Sequence, residues 1–155
     1  MNYDLKQEGR KFVIGMAIKT SNENGRFQRE VPPFLEKFHR DNMVEKIPQR
    51  KNKNLLAVYT EYEGDYMKPF TYIIGCEVDN LNVIPEGMVG LEIPSSSYAI
   101  FTAKGPFPQS IGQTWYSIWN SNITRSYQTD FEVYGPDFNP EQNPEVKIFI
   151  SVRQN

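Results

Sequence analysis

The chain runs through one series of patterns twice, and that repetition limits its fold more than any single motif does. FVIGMAIKT (12–20) is apolar and β-branched and reads as a strand; FQREVPPFLEKFHRDN (27–42) follows it as a helix. Pro32 and Pro33 suit the first turn of that helix, where a missing backbone N–H costs nothing, and Phe34, Leu35 and Phe38 share one face. LLAVYTEYE (55–63) and FTYIIGCEV (70–78) read as two more strands. A connector, 79–97, contains proline, glycine and three serines, and then the order restarts. SYAIFTAKG (97–105) is a strand, and Ile111, Trp115, Ile118 and Trp119 recur at helical spacing. TDFEVY (129–134) and EVKIFISV (145–152) complete the second set. Such a repeat, with a unit of about 70 residues, is an internal duplication. Two βαββ halves, 11–80 and 96–153, predict an α+β fold within one domain over 1–155. Its sheet is mostly antiparallel and curved, with two helices, a pseudo-twofold axis and a cleft between the halves.

The halves also overlay locally. YTEYEGD (59–65) lies over FEVYGPD (131–137), matching Tyr62 with Tyr134 and Thr60 with Glu132, so only the second half has an acid there. Strand alternation puts Glu132 and Tyr134 on one face and Phe131 and Val133 on the other. A carboxylate moved out of water loses several kcal/mol of hydration, and desolvation raises its pKa. A cationic guest reverses that balance, and aromatic faces add about 0.5–2 kcal/mol each by cation–π attraction. The chain is well supplied with such faces: ten Phe, nine Tyr and two Trp.

The segments IGMAIKT, FTYIIGCEVD, VIPEGMVGLEIPSSSYAIFTAKGPF, IGQTWYSIW, FEVYGPDF and VKIFISV occur in an order and spacing that extend from about residue 12 to residue 153. In these the chain resembles the GyrI-like, or AraC-type, effector-binding domain, which also forms the C-terminal domain of multidrug-responsive transcription regulators. The resemblance implies a duplicated βαββ fold whose cleft takes hydrophobic, often cationic, compounds. It places Glu132 as the cleft acid, with Tyr72, Trp115 and Phe149 as aromatic walls. Tyr134 joins them because a buried phenol needs a partner. Trp119 fits the helix-to-sheet core better. The regulator members carry a separate helix-turn-helix domain. Here about eleven residues precede the first strand, so the expectation is a stand-alone sensor or sequestering module without direct DNA binding, served by a separate regulator protein. Some members of the group hydrolyse strained cyclopropane compounds. For that alternative, Glu132 would orient or deprotonate water while Tyr134 donates to the developing oxyanion.

Other chemistries find little support. The net charge is −2, with no basic face for nucleic acid and too little acidity to imitate it. Arg50, Lys51 and Lys53 read as a solvated loop. One cysteine, Cys76, allows no intrachain disulfide and reads as a small core residue. One histidine, His39, near the end of the first helix, does not make a zinc site, so no metal and no cofactor is expected. A polar start without a signal-peptide core, and no run of about 18 apolar residues, point to a cytoplasmic protein away from the membrane.

Overall fold

The computed structural model describes residues 2–153. Its strands and α-helices are β1 (Asp4–Glu8), β2 (Lys11–Thr20), α1 (Arg26–Arg40), β3 (Leu55–Thr60), β4 (Phe70–Val78), β5 (Val89–Ile93), β6 (Ser96–Ala103), α2 (Gln109–Trp119), β7 (Thr129–Tyr134) and β8 (Val146–Val152). The strands form one antiparallel sheet in the order β1-β6-β8-β7-β3-β4-β2-β5, and the two helices pack on one face. This is the α+β duplication with a curved sheet that the sequence implies. No helix among the described residues is long and apolar enough to cross a membrane.

The repeating unit is larger than βαββ. Each half opens with an extra strand: β1, polar and mostly exposed, and β5, which lies inside the supposed connector. Both are sheet edges, so neither has to show the alternation of a strand buried on one side. They are also exchanged. β1 of the first half pairs with β6 of the second, and β5 of the second pairs with β2 of the first.

α1 starts earlier than its prolines suggest. Pro32 and Pro33 lie in the second turn, not the first. A proline there removes the bond to the carbonyl four residues back. Those carbonyls belong to Gln28 and Arg29, both exposed, so water can satisfy them while Val31 and Phe38 stay buried on the opposite face. The helix tolerates the pair because the broken bonds face solvent.

In the sheet, Gly15 and Gly75 face each other across β2 and β4. A Cβ on Gly15 would come within 2.2 Å of the Ile74 carbonyl oxygen, and one on Gly75 within 2.1 Å of that of Ile14. Only glycine permits this approach. One apolar cluster lies between helices and sheet, including Val31, Phe38, Tyr72, Trp115 and Ile148. A second occupies the far face and joins Val13, Ile93, Tyr98 and Phe131, so strands from both ends of the sheet order meet there and the sheet curls. Each fully buried side chain of this kind contributes about 1.5–3 kcal/mol.

Candidate ligand-binding site

On β7, alternation sorts the side chains as the sequence suggests. Phe131 and Val133 pack on the far face with Tyr98 and Phe149. Glu132 and Tyr134 line a cavity of about 490 Å³ between the helices and the sheet. The walls combine α1 (Phe27, Val31, Leu35) and α2 (Ile111, Trp115) with strands β3, β4 and β7.

Glu132 is 2 % exposed, and all its partners are neutral. The Tyr59 hydroxyl and the Trp115 indole N–H each donate to Oε2 at 2.7 Å. The Tyr134 hydroxyl donates to Oε1 at 2.8 Å. Among the described residues no basic side chain lies within ion-pair distance of it. Burial pushes its pKa above the ordinary carboxylate value, although the three donors pull the other way. Burial, then the nearby Glu132 charge, raises the Tyr59 and Tyr134 phenols as well, so both remain donors.

The strand registers show why the acid is central. Equating the starts of β2 and β6 matches Lys11 with Ser96 and Asp4–Glu8 with Val89–Ile93. Through the β2–β4 and β6–β8 registers Val78 then matches Val152, and Gly75 matches Phe149. Through β3–β4 and β7–β8, Leu56 matches Phe131, which puts Ala57 on Glu132 and Tyr59 on Tyr134. Ala57 and Glu132 are also direct neighbours across the β3–β7 seam. The pseudo-twofold axis therefore passes between them. A small side chain on one side leaves room for one carboxylate at the centre, and two symmetry-related tyrosines donate to its two oxygens. The overlay of Thr60 on Glu132 and Tyr62 on Tyr134 is thus out of register: Thr60 neighbours Tyr59 on its strand and points to the other face.

A second acid on the same face of β7 is used differently. Asp130 is fully buried and ion-paired with Arg125 at 2.8 Å. Its Oδ1 accepts from the Ser151 backbone N–H at 2.7 Å and from the Ser151 hydroxyl at 3.0 Å, and its Oδ2 from Tyr62 at 2.5 Å. Its charge is fully compensated inside the protein; that of Glu132 is not.

Of the five residues singled out in the sequence, the structure brings four to the cavity: Glu132, Tyr134, Trp115 and Tyr72. Tyr72 is buried, with its ring edge-on to Tyr59 at 5.3 Å and to Phe27 at 5.5 Å. Phe149 is not among them. It pairs with Phe131, while its neighbour Ile148 pairs with Glu132, so parity turns the Phe149 ring to the far face, stacked 4.6 Å from Phe131. Trp119 is half-buried and packs against the core as expected, and it also lines the cavity, stacked on Tyr66 at 5.1 Å. Tyr59 was missed because of the out-of-register overlay. The available signal was alternation within LLAVYT, which puts Ala57 and Tyr59 on one face.

Comparison with known proteins places the chain in a family. The profile of the family described as "integron-associated effector binding protein" matches residues 5–152. The chain belongs to that family. Among relatives of this effector-binding protein, YobU of Bacillus subtilis, named for a suspected role as a transcriptional regulator, is 26% identical over 149 residues, with 93% of each chain covered. The integron cassette protein VCH_CASS2 from the mobile metagenome of Vibrio cholerae is 26% identical, with TM-score 0.77 over 99% of this chain and 97% of the other. The structure of SAV2435 bound to tetraphenylphosphonium shares the fold, with TM-score 0.82 and 19% identity over 99% of this chain and 94% of the other.

Proposed function

We propose that the chain binds lipophilic aromatic cations in this cavity, with Glu132 supplying the counter-charge, as a sensor or sequestering module linked to transcription regulation. One observation carries the reading: a carboxylate buried at the pseudo-twofold axis, held only by neutral donors, among aromatic walls. Three fixed donors orient the acid but leave its charge uncompensated, so a guest that brings a positive charge recovers the electrostatic energy lost on burial. The rings of Tyr59, Tyr72 and Trp115 add cation–π attraction and impose little shape selection. Tetraphenylphosphonium, the ligand of the SAV2435 structure, has the required character: one delocalised positive charge behind aryl surface. The regulatory link is supported by the regulator name of YobU and the effector-binding family.

The test is a calorimetric titration of the protein with tetraphenylphosphonium and with neutral triphenylphosphine oxide. The cation binds at least about tenfold more tightly if charge drives recognition; equal affinities refute it. Recovery of more than one equivalent of a chemically altered guest would instead assign a hydrolase.

A further inference from the structure

Most phenols that line the cavity have an evident partner. Tyr59 and Tyr134 donate to Glu132, and Tyr62 donates to Asp130. Tyr66 is half-buried and Tyr116 exposed, so water can serve their hydroxyls. Tyr72 differs from all of these. It is 4 % exposed, and its hydroxyl has no hydrogen-bond partner among the described residues. The unpartnered side-chain atoms that are sealed from solvent lie on Ser110, Arg125 and Ser126; the Tyr72 hydroxyl is not one of them. Tyr72 lines the cavity, and that is where its hydroxyl opens. The ring is held edge-on by Tyr59 at 5.3 Å, Phe27 at 5.5 Å and Phe34 at 6.2 Å, so it cannot swing to another partner. A buried hydroxyl left in this state is rare in a folded protein.

The pseudo-twofold axis gives this phenol no counterpart. The register that matches Gly75 with Phe149 matches Tyr72 with Val146, a fully buried aliphatic residue. Tyr59 and Tyr134 are thus the symmetric pair that serves the acid, and Tyr72 is an extra hydroxyl on one side of it. It also lies in the field of that acid: after burial, the Glu132 charge is what raises the Tyr72 phenol, so the proton stays on.

We propose that the Tyr72 hydroxyl is a hydrogen-bonding point for the guest, accepting from an N–H at its positively charged end. The inference rests on the cation-binding reading and narrows the preferred guest to aromatic cations that carry their charge on N–H groups. A phenol can donate or accept, and the carboxylate nearby decides which. It attracts the positive end of a guest and repels a guest oxygen, so the positive end is what reaches Tyr72. An N–H there shares the charge, which strengthens its bond to the phenol oxygen. A quaternary ammonium or a phosphonium presents only C–H groups at that place. It still meets the Glu132 charge, but it leaves the hydroxyl without a partner. Glu132 thus selects for charge, and Tyr72 selects among charged guests.

A matched dye pair tests this. Thionine and methylene blue share one phenothiazinium cation; thionine carries amino N–H bonds where methylene blue carries methyl groups. Tyr72→Phe keeps the ring and removes only an unpartnered hydroxyl, so thermal melts should show the guest-free variant at least as stable as wild type. Calorimetry should show thionine weakened about tenfold in that variant and methylene blue changed by less than about twofold. An unchanged thionine affinity, or equal losses for both dyes, overturns the proposal. A clearly lower melting temperature also overturns it, because the hydroxyl would then have a partner within the protein. Failure of the underlying reading looks different: neither dye binds the wild-type protein, or Glu132→Gln leaves both affinities unchanged.

Discussion

Replacing Glu132 with Gln separates charge from shape in this cavity. Trp115 and Tyr59 both donate to Oε2, so the amide oxygen of a glutamine must take that place, because an indole N–H cannot accept. The amide nitrogen then falls where Oε1 was, facing Tyr134, whose hydroxyl can rotate to accept. The variant thus keeps every partner and loses only the charge. At about 5 Å and an effective dielectric of about 20, a unit charge pair is worth about 3 kcal/mol, or roughly a hundredfold in affinity. Calorimetry should therefore show tetraphenylphosphonium weakened by about two orders of magnitude in Glu132→Gln, with triphenylphosphine oxide changed by less than about twofold. Thermal melts should show the variant at least as stable as wild type near neutral pH, because a buried charge has been removed. Equal losses for both guests, or an unchanged phosphonium affinity, would refute the electrostatic argument.

Other outcomes follow from the same geometry. Because Glu132 titrates above its ordinary value of 4.5, its own contribution to the stability of the guest-free protein should be full below about 4.5 and be lost as pH rises through the raised pKa, a pH dependence that Glu132→Gln should remove; cation affinity should move the opposite way, rising with pH until the acid is ionised. Melts across pH, and calorimetry in buffers of different ionisation enthalpy to detect proton release on binding, check this. Tyr134→Phe should weaken the cation by about tenfold, and Tyr59→Phe by less, because Oε1 has Tyr134 alone while Oε2 keeps Trp115; titration of the two variants shows the order. Phe149→Ala should cost about 2 kcal/mol in denaturant unfolding and leave the cation affinity unchanged, since that ring packs on the far face.

The repeat was legible because its helices bury one face and its central strands bury both, so that α2 carries Ile111, Trp115 and Ile118 at helical spacing and β3 is an unbroken apolar run, LLAVY. β1 and β5 were not, because an edge strand has no such need, and DLKQE reads as any polar segment. α1 was shortened by a rule that holds for a buried turn and fails where the freed carbonyls of Gln28 and Arg29 meet water. At the site, alternation along β7 was enough to orient Glu132 and Tyr134. Phe149 needed a further fact, the β7–β8 register, which decides which of two adjacent residues shares a face with the acid. Tyr59 depended on the register of the duplication, and a three-residue error in aligning YTEYEGD, which put Tyr62 where Tyr59 belongs, was enough to hide it.

The exchanged edge strands constrain how a guest can enter. Each half lends its opening strand to the other, and β3 and β7 join the halves through six residue pairs at the middle. The halves are laced together at both rims and along the centre, so they cannot part like jaws. Admission has to come from the layer above the sheet: swings of Trp119 and Tyr66, or small slides of α1 and α2 over a platform that stays still. Binding kinetics should accordingly answer to changes in those helices and be indifferent to a cut in the chain between Asn80 and Pro85, well away from the cavity wall.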